Sequence, residues 1–120
     1  MKKFELTENY KMCFGRKLFQ IRALVTINCV VREGETGGYI EKEENLSQFG
    51  NSWVHGNACV FGNAQVFGNA CVSGNSLVYG NSRVYGDTLV TGKSRVTGNS
   101  RVCGNAIIYE NKVLFIHSIK

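Results

Sequence analysis

The 120-residue chain contains no proline, only two histidines, and no apolar run near the roughly eighteen residues that a membrane-crossing helix requires. No basic-then-apolar leader precedes the rest, so the expected location is the cytoplasm, away from any membrane. Without proline, reversals of the chain fall to its 14 glycines. The cysteines, Cys13, Cys29, Cys59, Cys71 and Cys103, are odd in number and form no Cys-x-x-Cys pair and no cluster with histidine at metal-ligand spacing. They are expected to remain reduced thiols, with no metal and no cofactor bound. Two histidines, His55 and His117, are too few for a three-histidine zinc site in one chain.

What is present is a repeat. From Ser52 to Leu114 an aliphatic residue returns at every sixth position: Val54, Val60, Val66, Val72, Val78, Val84, Val90, Val96, Val102, Ile108 and Leu114. Two places before each lies a small residue, from Ser52 and Ala58 to Ser100 and Ala106, and two places after comes Gly, usually followed by Asn. A fixed hexapeptide period of this kind marks a β-helix. Alternation along a strand puts the small residue and the Val on one face, the inside, and the intervening residues on the other. Gly and Asn tolerate left-handed backbone, so Gly-Asn every six residues is a regularly spaced corner. Three corners close a triangular coil of eighteen residues, each residue stacked at about 4.8 Å over the one eighteen later. The expected fold is therefore all-β, a solenoid in one domain.

The pattern resembles the hexapeptide-repeat, left-handed parallel β-helix family, whose repeat is an aliphatic residue with a small residue two positions before it. The lead-in Gly37-Gly38-Tyr39-Ile40-Glu41 and Glu44-Asn45-Leu46-Ser47 is similar to that of small YdcK-like proteins of bacteria and their phages. The left hand of the coil is what this resemblance implies. So is association of copies through flat faces, as a dimer or trimer.

Residues 1–46 read as an N-terminal β cap with an irregular first coil, residues 47–114 as the repeat, and residues 115–120 as a capping tail. Within the cap, Lys2 to Leu6, Met12 to Phe14 and Leu18 to Val25 read as strands, with turns at Asn9 and Gly15. The run Glu33 to Gly38 reads as a turn cluster and not a phosphate loop, since no Lys-Ser/Thr ends it. Glu41, Glu43 and Glu44 read as a solvated loop. The rule fails at Glu110, in the Gly place, and at Lys112, in the small interior place, so the coil stops there. The apolar stretch Val113 to Ile119 is expected to fold across the last coil or to pair with another chain.

Sorted by coil, the outward positions give three faces. The first carries Trp53, Cys71, Leu89 and Ile107, an apolar column to be covered by self-association or by the cap. The second carries Cys59, Leu77 and Arg95 beside Phe61, Tyr79 and Thr97, and the third carries Gln65, Arg83 and Arg101 beside Phe67, Tyr85 and Cys103. Residues 51–120 hold six basic groups against Asp87 and Glu110, a net +4, while residues 1–50 hold eight against seven, a net +1. The basic excess belongs to the coil. Arg83, Arg95, Arg101 and Lys93 interleave with Phe61, Phe67, Tyr79 and Tyr85, the combination that suits an acidic protein surface or a single-stranded nucleic acid. The plain alternative is that long arginine stems cover strand faces with their heads in water.

No catalytic residue is assigned. The resemblance brings to mind acyltransferases with a histidine base, for which His55 is the candidate, but no loop interrupts the repeat to enclose a site. The leading expectation is a non-enzymatic interaction protein docking flat faces onto a protein or nucleoprotein partner, in a phage-type member as an inhibitor of a host defence complex. Direct nucleic-acid binding and an acyltransferase-like activity are the alternatives.

Overall fold

A strand of two residues holds nothing by itself, and the hexapeptide makes strands of just that length. The computed structural model describes residues 2–27, 30–110 and 112–115. Cys29 and residues 116–120 of the tail, His117 among them, lie outside the described residues. The repeat supplies β4 (Trp53–Val54), β5 (Cys59–Val60), β6 (Gln65–Val66), β7 (Cys71–Val72), β8 (Leu77–Val78) and β9 (Arg83–Val84). It continues through β10 (Leu89–Thr91), β11 (Arg95–Val96), β12 (Arg101–Val102) and β13 (Ile107–Tyr109). Each pairs with the parallel strand one coil away: Trp53, Cys71, Leu89 and Ile107 stack in one column, Cys59, Leu77 and Arg95 in a second, and Gln65, Arg83 and Arg101 in a third. The eighteen-residue coil and its three outward columns are thus the observed architecture, a three-faced β-solenoid.

Inside, Val54, Val60, Val66, Val72, Val78, Val84 and Val90 are wholly buried in one column per face. The small places do more than leave room. Ser82, Thr88, Ser94 and Ser100 each donate a hydroxyl proton to the carbonyl three residues back, at 2.6–2.8 Å, satisfying an acceptor at the corner. At the corners the Gly is required twice over. Gly74 has φ +69°, and a Cβ there would lie 2.8 Å from both the N and the O of Gly92 one coil below. At the last corner Glu110 keeps the same left-handed backbone, φ +51°, with a side chain attached.

The first coil is irregular by two residues. Tyr39 lies over Cys59 and Leu46 over Val66, twenty positions apart and not eighteen. The excess sits at one corner: Ser47 N bonds Val66 O and Asn51 N bonds Gly68 O, where one coil lower Phe67 and Asn69 do the same with one residue between them. Gln48 and Phe49 are the extra pair. Gln48 turns inward and accepts from Lys3 N and Phe4 N through Oε1. Phe49 is left 83 % exposed.

Above this coil, β1 (Phe4–Cys13) and β2 (Arg16–Ala23) form one antiparallel hairpin, followed by β3 (Thr36–Ile40), so that the second face continues as a six-stranded sheet β1-β2-β3-β5-β8-β11. Phe14 (φ +52°) and Gly15 (φ +75°) make its turn. Asn9 is not a turn: it lies in an irregularity of β1 between Leu6 and Tyr10, where the Thr7 hydroxyl donates to Gln20 O. Gly37 and Gly38 belong to β3 and not to the turn before it, because the strand crosses directly over the first coil. A Cβ on Gly37 would come within 2.8 Å of the Trp53 indole nitrogen. Nor is Glu41 free in solvent: it takes Arg16 Nη1 at 2.9 and 3.1 Å and the Gly62 N–H at 2.9 Å, tying the hairpin to a corner. Phe4, Ile21, Ala23, Ile27 and Val31 extend the solenoid core upward over Val54 and Trp53. At the other end β14 (Lys112–Phe115) runs antiparallel beside β13, lengthening the first face instead of crossing the end of the coil.

The upper edge of a solenoid exposes carbonyls that a further coil would have bonded, and here side chains supply the missing donors. The Asn45 amide nitrogen donates to Gly62 O and Ala64 O at 3.2 and 2.9 Å, while its oxygen accepts from Glu41 N and Lys42 N, using all four of its hydrogen-bonding places. Lys3 does likewise at the next corner: its Nζ donates to Ser52 O at 2.8 Å, Ser52 Oγ at 3.2 Å and Gly50 O at 3.4 Å. One coil down, the counterparts of these carbonyls, Gly80 O, Ser82 O, Ala70 O and Gly68 O, are bonded by backbone N–H groups.

Among the described residues no carboxylate pairs with the Lys3 ammonium, and burial lowers its pKa to about 8 from 10.5, partly offset by Cys71. The unfolded chain therefore holds this proton between pH 8 and 10.5 while the folded chain releases it, so this residue's contribution to stability rises with pH across that window. The stability difference between wild type and Lys3→Met, from urea unfolding at a series of pH values, should be flat below pH 8 and move in favour of wild type by up to about 3 kcal/mol above it. A pH-independent difference would contradict the buried, uncompensated ammonium.

Candidate interaction face

The three faces meet different fates. The second is continued by the hairpin and β3, and the first by β14, whereas the third, among the described residues, consists of β6, β9 and β12 with Leu46 bridged to Val66 above them. Its outward column is Gln65, Arg83 and Arg101, all exposed, because alternation turns the residue between each small residue and its Val away from the core. Register places Arg83 directly over Arg101. Among the described residues the ion pairs are Lys2–Glu43, Arg16–Glu41 and Arg22–Glu5, so neither of these two arginines has a carboxylate partner.

Beside them runs a second column. Phe67 and Tyr85 stack at a centroid distance of 4.8 Å with their planes 6° apart, and Cys103 lies buried below. Hydrogen bonding with the Cys103 thiol, with some desolvation, raises the Tyr85 phenol above its usual pKa, against the pull of Arg101 and Arg83. At the upper end, the two-residue insertion opens a groove of about 660 Å³ lined by Glu43, Glu44, Leu46, Phe49, Gln65 and Phe67. The face thus grades from an acidic, apolar upper end to a basic lower one.

The other residues singled out from sequence lie elsewhere. Arg95 is exposed on the second face below Leu77, and Lys93 on a corner, so neither joins the Arg83–Arg101 pair in one column. Phe61 points outward but is only 3 % exposed, because the hairpin tip folds over it. Its ring stacks on Tyr79 at 4.9 Å, and Phe14 packs on both at 5.8 and 5.7 Å. The apolar column of the first face is divided: Trp53 is wholly buried beneath Phe4 and Gly37, while Cys71, Leu89 and Ile107 are half-buried. His55 is half-buried, and desolvation lowers its pKa. Sequence reasoning missed Phe49 and Gln48; the signal was there, since Leu46 stands eight positions before Val54 where the repeat demands six.

Fold and surface together define a β-solenoid repeat protein with one face of unneutralised arginines and stacked aromatics. The family model of the YdcK β-solenoid repeat matches residues 64–80, which spans β6, β7 and β8, and the repeat of this chain is of that kind. A comparison with curated proteins finds no match.

Two like charges side by side on adjacent strands cost stability. Replacing Arg101 by Gln, the residue already at the top of the column, should raise unfolding free energy by about 0.5 kcal/mol at low salt, and by less at high salt. Urea titrations at two ionic strengths check this; a salt-independent loss would mean that the arginine stem, not its charge, dominates.

Proposed function

We propose that this protein is a non-enzymatic docking module whose third face binds an acidic surface of a protein partner. The observation that carries the reading is the Arg83–Arg101 pair, charged, exposed and without a carboxylate among the described residues. A partner's carboxylates would relieve the repulsion that the free protein bears, so binding gains what folding loses. The flat sheet, stiffened by backbone ladders on both sides of every interior strand, presents these heads with little ordering cost.

Direct binding of single-stranded nucleic acid is the weaker reading for a physical reason. Base stacking needs open aromatic faces. Phe67 and Tyr85 each give one ring face to the other, and Phe61 and Tyr79 do the same with Phe14 packed on both. Two unpaired arginines also make a small phosphate footprint. The non-enzymatic part rests on the uninterrupted repeat after Ser52 and on His55 being drawn toward its neutral form by burial, with no carboxylate bonded to it among the described residues. A host nucleoprotein complex offers acidic protein surface of the required sort, and occupying it would make this chain an inhibitor.

The test is capture from lysate with the purified chain as bait, with and without nuclease, beside the double variant Arg83→Glu/Arg101→Glu. Both heads are in water, so the variant should keep the wild-type circular dichroism and melting curve. A discrete protein that survives nuclease and is retained at least about tenfold less by the variant is the expected result. Capture that depends on intact nucleic acid, or that the charge reversal leaves unchanged, would overturn the reading.

A further inference from the structure

The hairpin tip brings together two cysteines that the sequence separates widely and that the docking reading does not use. Register in β1 sets Lys11 opposite Leu18 and Cys13 opposite Arg16. Lys11 Nζ reaches across to Asn57 O at 3.3 Å, and the Cys59 thiol donates to the same carbonyl at 3.5 Å. Side chains two apart on a strand share a face, so Cys13 follows Lys11 onto the second face of the solenoid. There it packs against the cluster of Leu18, Cys59 and Phe61. The next residue, Phe14, holds the tip to the same cluster through Phe61 and Tyr79. Both Cys13 and the Lys11 ammonium act on the Cys59 thiol, the lysine lowering its pKa and Cys13 raising it.

Their surroundings assign them different parts. Cys13 is half-buried and open to a small reagent; Cys59 is only 2 % exposed. Burial raises the Cys59 pKa, and Lys11 works against that rise by favouring the thiolate. Cys71 and Cys103 lie on the other two faces.

We propose that Cys13 and Cys59 form a dithiol site which a low-molecular-weight disulfide, with oxidised glutathione as the representative reagent, converts to a disulfide that fastens the hairpin to the solenoid. The Cys13 thiolate attacks one sulfur of oxidised glutathione, breaking its S–S bond and releasing one glutathione thiolate. The Cys59 thiolate then attacks Cys13 Sγ, displacing the second glutathione. Both protons lost by the protein thiols go to the two glutathiones, so the protein is oxidised by two electrons and one glutathione disulfide is reduced. The staple holds the hairpin tip where Phe14, Glu41 and Leu18 already place it. Excess dithiol reverses the reaction and frees the tip to detach.

The experiment treats the full chain with excess oxidised glutathione, quenches by acid, and reads intact mass and peptide maps. Expected are loss of two hydrogens per chain, a Cys13–Cys59 linked peptide, and no retained glutathione. In Cys59→Ser the reaction should stop at one glutathione on Cys13, and in Cys13→Ser the Cys59 thiol should stay unmodified under the same treatment. The wild-type map stands whether or not either variant folds. Accumulation of the Cys13 glutathione adduct in wild type without closure, linkage of either thiol to another cysteine, or no reaction at all would overturn the proposal.

Discussion

The structure depends on the vertical backbone ladder between coils. Strands of two residues contribute too few contacts to stand alone, so each coil is held by the one below and offers its own edge to the one above. Such a column has an end, and the end carries acceptors with no backbone left to bond them. Asn45 and Lys3 resolve this by imitation: an amide and an ammonium occupy the places of N–H groups that a further coil would have supplied. The lysine is an expensive substitute, since its charge is buried against neutral oxygens. Gln48, made available by the two-residue insertion, bonds the backbone of Lys3 and Phe4 and so holds the chain entering the cap.

That capping decides which surfaces remain open. The hairpin that closes the upper end cannot stop at the edge; its tip bends down over the second face, covers Phe61, and is pinned by the Arg16–Glu41 pair and by Phe14. The first face loses Trp53 to the cap and gains β14 at the far end. The third face receives neither, and it is there that Arg83 and Arg101 stand, without a carboxylate partner among the described residues, beside the Phe67–Tyr85 stack. Closure is therefore linked to surface through geometry: the cap and β14 alter the first and second faces and leave the third, the one to which the docking proposal assigns a partner, as it was.

The solenoid was legible because its information is periodic. Val54 to Ile108 at intervals of six, with a small residue before and Gly after, fixes inside, outside and register at once, and the observed pairs Trp53–Cys71–Leu89–Ile107 and Gln65–Arg83–Arg101 follow from that arithmetic. The cap was not legible in the same way. Nothing in the spacing of Cys13, Phe14 and Phe61 says that a hairpin folds back onto a face, because that contact is set by irregularities in β1 and β2. For the same reason Phe61 read as an exposed aromatic and Glu41 as a loop carboxylate. Polar residues that act as stand-ins for backbone, Lys3 and Asn45, carry no pattern at all, since each is used once.

The most direct measurement of the open third face is arginine modification by phenylglyoxal, mapped by peptide mass, in the free chain and in the complex with its captured partner. In the free chain Arg83 and Arg101 should react faster than Arg16 and Arg22, which are held by Glu41 and Glu5. In the complex, Arg83 and Arg101 should be protected together while Arg22 keeps its free-chain rate. Protection of Arg22 or Arg16 with Arg83 and Arg101 still reactive would place the partner on the cap and contradict the account.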